Sequence, residues 1–189
     1  MRESARWAAA LAALLLAGAC AAPKSDTAST TTVIVVRHAE KATGQGDDPD
    51  LSAAGAERAR SLGAALRDAG VDAVITTQWK RTAETALPTT TESGVTPETV
   101  PVAWDSVPSH AAAVAAAVRR HRGQVVLVVG HSNTVPDIVA ALGAQKPEPM
   151  CESEYDRMEI VTLEPDGDAR LIESRYGAPT PDREGCSSM

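Results

Sequence analysis

The sequence predicts an α/β layered fold with a mostly parallel central sheet, and three observations carry that expectation. Two continuous apolar runs, Val33-Ile34-Val35-Val36 and Val125-Val126-Leu127-Val128-Val129, suit strands buried on both faces. Between and after them lie amphipathic helical patterns, each closed by a glycine. Strands alternating with helices in this way form a sheet with helices on both faces, a three-layer α/β/α arrangement.

The elements follow in order. Val74-Ile75-Thr76 reads as a short strand and residues 99–102 as a weaker one. Ser52 is placed to cap a helix in which Ala59, Leu62, Leu66 and Ala69 recur at three and four, stopping at Gly70. A helix over 109–122 carries Ala111, Val114 and Val118 on one face, with Gly123 after it. Another over 134–142 carries Val135, Ile138, Val139 and Leu142, with Pro136 in its first turn. Residues 158–163 and 170–174, joined by Pro165-Asp166-Gly167-Asp168, look like a closing antiparallel hairpin.

Length and composition narrow the class. The 189 residues suffice for one compact core and fall short of two ordinary domains. Apolar residues make up 43% and charged residues 23%, as in soluble globular proteins. Aromatics are 3% with no Phe, so Ala, Val, Leu and Ile must build the core. The net charge of -7 argues against a nucleic-acid backbone as the partner. A small anionic substrate is still compatible, because local arginine placement decides that.

The first twenty residues read as a targeting segment. Arg2 and Arg6 precede the uncharged run from Trp7 to Ala17, too short to span a bilayer and suited to a signal-peptide core. The run ends Leu16-Ala17-Gly18-Ala19-Cys20, which resembles the lipobox of bacterial lipoproteins and implies lipidation of Cys20. An ordinary secretory signal with Cys20 incidental is the alternative. Residues 21–32, rich in Ala, Pro, Ser and Thr, suit a flexible tether, followed by a folded domain over 33–177 and a tail over 178–189. The chain is therefore expected in the bacterial cell envelope, attached to the membrane through its lipid. After export Cys151 and Cys186 are candidates for a disulfide, with two free thiols the alternative.

Each long strand runs into a histidine. The first continues as Arg37-His38-Ala39-Glu40 and the later one as Gly130-His131-Ser132-Asn133. Ligands of open α/β sheets bind beyond the carboxyl ends of the strands, so both histidines face one rim. Arg81 follows the Val74 strand by a few residues, near the start of the next helix. Three separate segments thus deliver two Arg and two His to one end of the sheet.

The segment VIVVRHAEKA resembles the signature of the histidine phosphatase superfamily, whose fold is phosphoglycerate-mutase-like. DLSAAGAERA, TTQWKRTAETA and VVGHSNT agree with it in order, and the resemblance spans roughly residues 32–177. It implies a phosphatase acting on a phosphomonoester or phosphoamidate through a phosphohistidine on His38. Arg37 and Arg81 would grip the phosphoryl oxygens with bidentate hydrogen bonds. A protonated His131 would donate to the same group, and the amides at the start of the 134–142 helix would favour an anion. Neither cofactor nor metal is implied, since two arginines and an imidazolium supply the positive charge, and the histidines lack partners at ligand spacing.

The general acid is less defined. Some branches of the superfamily place an Asp directly after the second histidine, where this chain has Ser132. Another uses a Glu after the third strand, which makes Asp105 a candidate acid, with a solvated loop carboxylate as the alternative. Small phosphohistidine phosphatases dispense with such an acid, so phosphohistidine is a second substrate class. Glu40 and Lys41 adjoin the nucleophile and are candidates for substrate contact or a surface ion pair. Ser132 and Asn133 are candidates for phosphate contact or helix capping. His110 and His121 read as surface or helix-end residues, and Glu154-Tyr155-Asp156-Arg157 as a solvated loop, with a place at the pocket rim as the alternative. Two other functions compete with the phosphatase: a non-catalytic envelope lipoprotein binding an anionic ligand or partner, and a phosphoglycerate-mutase-type phosphotransferase.

Overall fold

The structure is a computed structural model and describes residues 29–103 and 105–180. Ten elements alternate in the expected sense: β1 (Thr31–Arg37), α1 (Ala53–Leu66), β2 (Val71–Thr76), α2 (Lys80–Ser93), β3 (Glu98–Thr99), α3 (Val107–Val118), β4 (Val125–Gly130), α4 (Val135–Ala141), β5 (Arg157–Leu163) and β6 (Ala169–Arg175). The six strands form one sheet in the order β3-β2-β4-β1-β5-β6. Strands β3, β2, β4 and β1 are parallel, while β5 and β6 add an antiparallel hairpin beside β1.

The apolar runs make two cores because successive strand side chains point to opposite faces. Val33, Val35 and Val128 pack with Val114 and Val118 of α3 and with Ile138 and Val139 of α4. Ile34, Val36, Leu127 and Val129 pack with Leu62 and Leu66 of α1 and Ala86 of α2. Each fully buried valine contributes roughly 1.5–3 kcal/mol relative to exposure, so β1 and β4 are the most firmly specified strands. This is the expected three-layer sandwich.

Several boundaries differ from the expectation for local reasons. β1 begins at Thr31, inside the expected tether, because Thr31 Oγ1 accepts from the Gly123 amide at 2.9 Å and Thr32 N donates to Gln124 O at 3.0 Å. β3 stops at Thr99, since Pro101 has no N–H for a ladder; the Gln78 side chain clasps both backbone groups of Val102 instead. α3 starts earlier, with proline in its first turn, and ends at Val118, after which residues 119–121 make turn bonds.

The largest departure concerns residues 154–157, expected to be solvated. Glu154, Asp156 and Arg157 are almost fully buried. Arg157 pairs with Glu159 and Glu154, and Arg175 on β6 reaches Asp156 at 2.7 Å. Buried charges persist where each has a partner, and here two arginines of the hairpin supply them.

Candidate active site

Strand register builds the centre of the site. Arg37 is the partner of Gly130 across the parallel β1–β4 pair, and His38 N donates to Gly130 O at 2.9 Å. The next residues, His38 and His131, therefore leave the sheet side by side, with ring centroids 5.2 Å apart and planes at 66°. Gly130 leaves room for this turn. A Cβ there would stand 2.9 Å from Thr134 Oγ1, the atom that accepts the His131 amide at 2.9 Å.

His38 is oriented by its own loop. Its Nδ1 lies 2.8 Å from Ala39 O, and a carbonyl only accepts, so Nδ1 carries the proton and Nε2 the lone pair. Ala39 N donates to Thr85 Oγ1 at 2.9 Å, tying the loop to α2. Glu40 O accepts from Ser52 N at 2.8 Å, and α1 approaches so closely that a Cβ on Gly55 would stand 2.1 Å from that oxygen. Burial, followed by the neighbouring Arg37, Arg81 and Lys41 cations, lowers the His38 pKa to about 3. The imidazole is neutral near pH 7, as a nucleophile requires.

His131 departs from the expected protonated form. Burial, then the neighbouring His38, which is itself charged only in acid, and the Arg81 cation push its pKa down to about 2, so the ring is neutral. Its Nε2 lies 3.1 Å from the Thr77 hydroxyl at the end of β2.

The two arginines differ in function within the fold. Arg37 Nη1 donates to the carbonyls of Cys151, Glu152 and Glu154 at 2.9–3.0 Å, and its guanidinium lies 4.0 Å from the Tyr155 ring centroid. Arg81, in the first turn of α2, lies 4.8 Å from the Trp79 ring centroid and 3.8 Å from Asp48. Its Nε and Nη1 are buried and make no hydrogen bond among the described residues. Both arginines and both histidines line one cleft of about 540 Å³.

Residues 33–102 match the family model of the histidine phosphatase superfamily, branch 1. The fold and the signature segment are similar to those of the histidine phosphatase superfamily. The superfamily match contains Arg37, His38 and Arg81 and ends before His131, which the fold brings beside them. The protein histidine phosphatase SixA, solved with tungstate, superposes with a TM-score of 0.59 at 19% identity, covering 76% of this chain and 96% of that one. A mycobacterial glucosyl-3-phosphoglycerate phosphatase superposes with 0.59 at 12% identity, covering 79% and 100%. Phosphoserine phosphatase from Entamoeba histolytica, in complex with 3-phosphoglyceric acid, gives 0.55 at 11% identity, covering 79% and 98%. At such identities the likeness is one of fold. No functionally curated protein matches the sequence.

In this fold Lys41, Ser132 and Asn133 line the cleft. Glu40 does not: its carboxylate accepts from Arg58 Nε and Nη2 at 2.8–2.9 Å, the ion-pair alternative. Asp105 is exposed in the turn before α3 and is not among the residues that line the cleft, a placement that fits the solvated-loop alternative. Ser132 donates to Glu152 Oε1 at 2.5 Å and caps no helix; Thr134 occupies the cap position, with its Oγ1 turned back to the His131 amide and not to the amides of α4. α4 is a single short helix of seven residues, and its first-turn Asp137 pairs with Lys146 at 2.8 Å. His110, read as a surface residue, is buried and its Nδ1 donates to Pro101 O at 3.0 Å.

The sequence reading missed Glu152 and placed Tyr155 at the rim only as an alternative. Glu152 accepts from Arg37 Nη2 at 2.9 Å and lines the cleft with Pro136, Pro149 and Met150. The signal for Glu152 was no more than its place beside the charged segment 154–157. Cys151 is disulfide-bonded; its pairing with Cys186 and the lipidation of Cys20 lie outside the described residues, as does the expected signal segment. Among the described residues no group of three His, Cys, Asp or Glu forms a metal cluster.

Proposed function

We propose that this protein is a phosphatase that transfers a phosphoryl group to His38 and then to water. The observation that carries the reading is the convergence of an oriented His38 Nε2 lone pair with His131, Arg37 and Arg81 in one cleft. The buried Arg81 N–H groups are preorganised donors for phosphoryl oxygens, where charge-assisted bonds are strongest. Attack in line by Nε2 forms the N–P bond as the P–O bond to the leaving group breaks, and water then releases phosphate. A phosphoryl dianion favours an imidazolium at His131, which gains its donor proton as substrate arrives, while His38 Nε2 keeps its lone pair for attack. The superfamily match and the named phosphatases of the same fold support this chemistry.

The cleft has room for more than a phosphate, and its Pro136, Pro149 and Met150 wall suits an apolar part of a small phosphoester. Phosphohistidine is a second acceptable donor, since its nitrogen leaves readily. We further propose that the chain is exported and held at the envelope membrane by a lipid on Cys20, which metabolic fatty-acid labelling of wild type and Cys20→Ser would test. For the activity, the decisive experiment is hydrolysis of p-nitrophenyl phosphate by purified protein in the presence of a chelator, beside His38→Ala. Chelator-resistant turnover lost in the variant supports the mechanism. No turnover on this or a phosphohistidine substrate would favour a non-catalytic anion-binding lipoprotein.

A further inference from the structure

Glu152 holds a position that the phosphatase reading above does not use. Its Oε2 accepts from Arg37 Nη2 at 2.9 Å, its Oε1 from Ser132 Oγ at 2.5 Å, and its own carbonyl from Arg37 Nη1 at 2.9 Å. Backbone and side chain are therefore both fastened to the rim of the cleft that holds His38 and His131. The carboxylate is half-exposed, with 46% side-chain exposure, so a leaving group and water can both reach it. The other carboxylate lining the cleft, Asp137, is held by Lys146.

We propose that Glu152 is the general acid–base of the reaction, protonating the leaving oxygen and then activating water; this rests on the phosphatase reading of the same site. A phosphoryl group entering between Arg37 and Arg81 places a second anion against the guanidinium that Glu152 already occupies. The repulsion is relieved when Glu152 takes up a proton, which makes it a donor when substrate is bound. Ser132 tolerates both states, because a hydroxyl donates to a carboxylate and accepts from a carboxylic acid.

The steps balance. His38 Nε2 forms the N–P bond, the P–O bond breaks, and its electron pair on the leaving oxygen takes the Glu152 proton. The resulting carboxylate then accepts a proton from water as the water oxygen bonds to phosphorus. The P–N bond breaks, its electrons return to Nε2, phosphate departs, and Glu152 is again protonated.

The test compares Glu152→Gln with wild type on two leaving groups, p-nitrophenyl phosphate and a panel of alkyl phosphates including glycerol 2-phosphate. Glutamine keeps an acceptor for Arg37 and a partner for Ser132 but cannot deliver a proton. General acid catalysis contributes ~100-fold or more, so the variant is expected to lose that factor in kcat/KM on an alkyl phosphate and far less on the aryl ester. Equal losses on both would make Glu152 a positioning residue for Arg37 and overturn the proposal. So would a wild-type protein that cleaves the aryl ester through His38 yet no alkyl phosphate. Absence of His38-dependent cleavage of the aryl ester would instead strike the underlying phosphatase reading, and the proposal with it.

Discussion

His38 and His131 face each other edge to face at 5.2 Å because they are the first residues beyond a register-matched pair, Arg37 and Gly130, on adjacent parallel strands. The geometry is set by backbone hydrogen bonds, so it survives loss of either ring. His38→Ala should therefore fold normally and lose turnover entirely, as read by circular dichroism and hydrolysis of an aryl phosphate. Retained turnover in the purified variant would place the nucleophile elsewhere.

Arg81 has buried N–H groups that only a planar, forked donor can present in this orientation. Arg81→Lys keeps the charge and removes the fork. Loss of charge-assisted hydrogen bonding is expected to cost ~2 kcal/mol or more in kcat/KM. Steady-state kinetics check this, and an unchanged rate would show that Arg81 does not touch the reacting group.

The two histidines also make stability depend on pH. Both are held below the ordinary value of 6.5, His38 to about 3 and His131 to about 2. Below 6.5 the unfolded chain binds protons that the folded protein refuses. Their contribution is thus intact above 6.5 and lost progressively as pH falls from there toward about 3 and about 2. Urea denaturation across that window should show a shallower acid dependence in His131→Gln. A variant with the wild-type slope would assign the effect to other groups.

Gly55 is where α1 touches the loop that follows His38. A methyl there meets the Glu40 carbonyl oxygen at 2.1 Å, and backbone cannot yield as a flexible side chain does. Gly55→Ala is expected to destabilise by about 1–3 kcal/mol, the range for overpacking, and to lower kcat through displacement of the His38 loop. Chemical denaturation and kinetics measured on the same preparation decide it.

Arg157 stands among buried carboxylates of the hairpin. Burial, the largest influence, already raises the Glu159 pKa against the pull of Arg157. Arg157→Met removes a partner without relieving that burial, with an expected cost of about 3–5 kcal/mol. A double variant that also replaces Glu159 by Met should recover much of it; no recovery would mean that the pair is not what fails.

Much of the site was legible because its parts are local. Arg37, His38 and His131 sit at the ends of apolar runs whose length marks buried strands, and the strand-end rule assigns them a rim without knowledge of any contact. Arg81 was legible from its motif. Glu152 was not, because its place depends on hydrogen bonds to Arg37 across 115 residues of chain. Asp105 was a candidate by segment alone, and its exposure followed from the turn that precedes α3.

Apolar periodicity and glycine stops were enough to decide the layers, the hairpin and the end of the sheet where chemistry gathers, since each depends on residues a few positions apart. Protonation and pairing needed the folded chain. His131 is neutral because tertiary packing removes water from it, and Glu154 and Asp156 are internal because Arg157 and Arg175 meet them there. Burial and the field at a point in space sum over every neighbour, and most of those neighbours are distant in sequence.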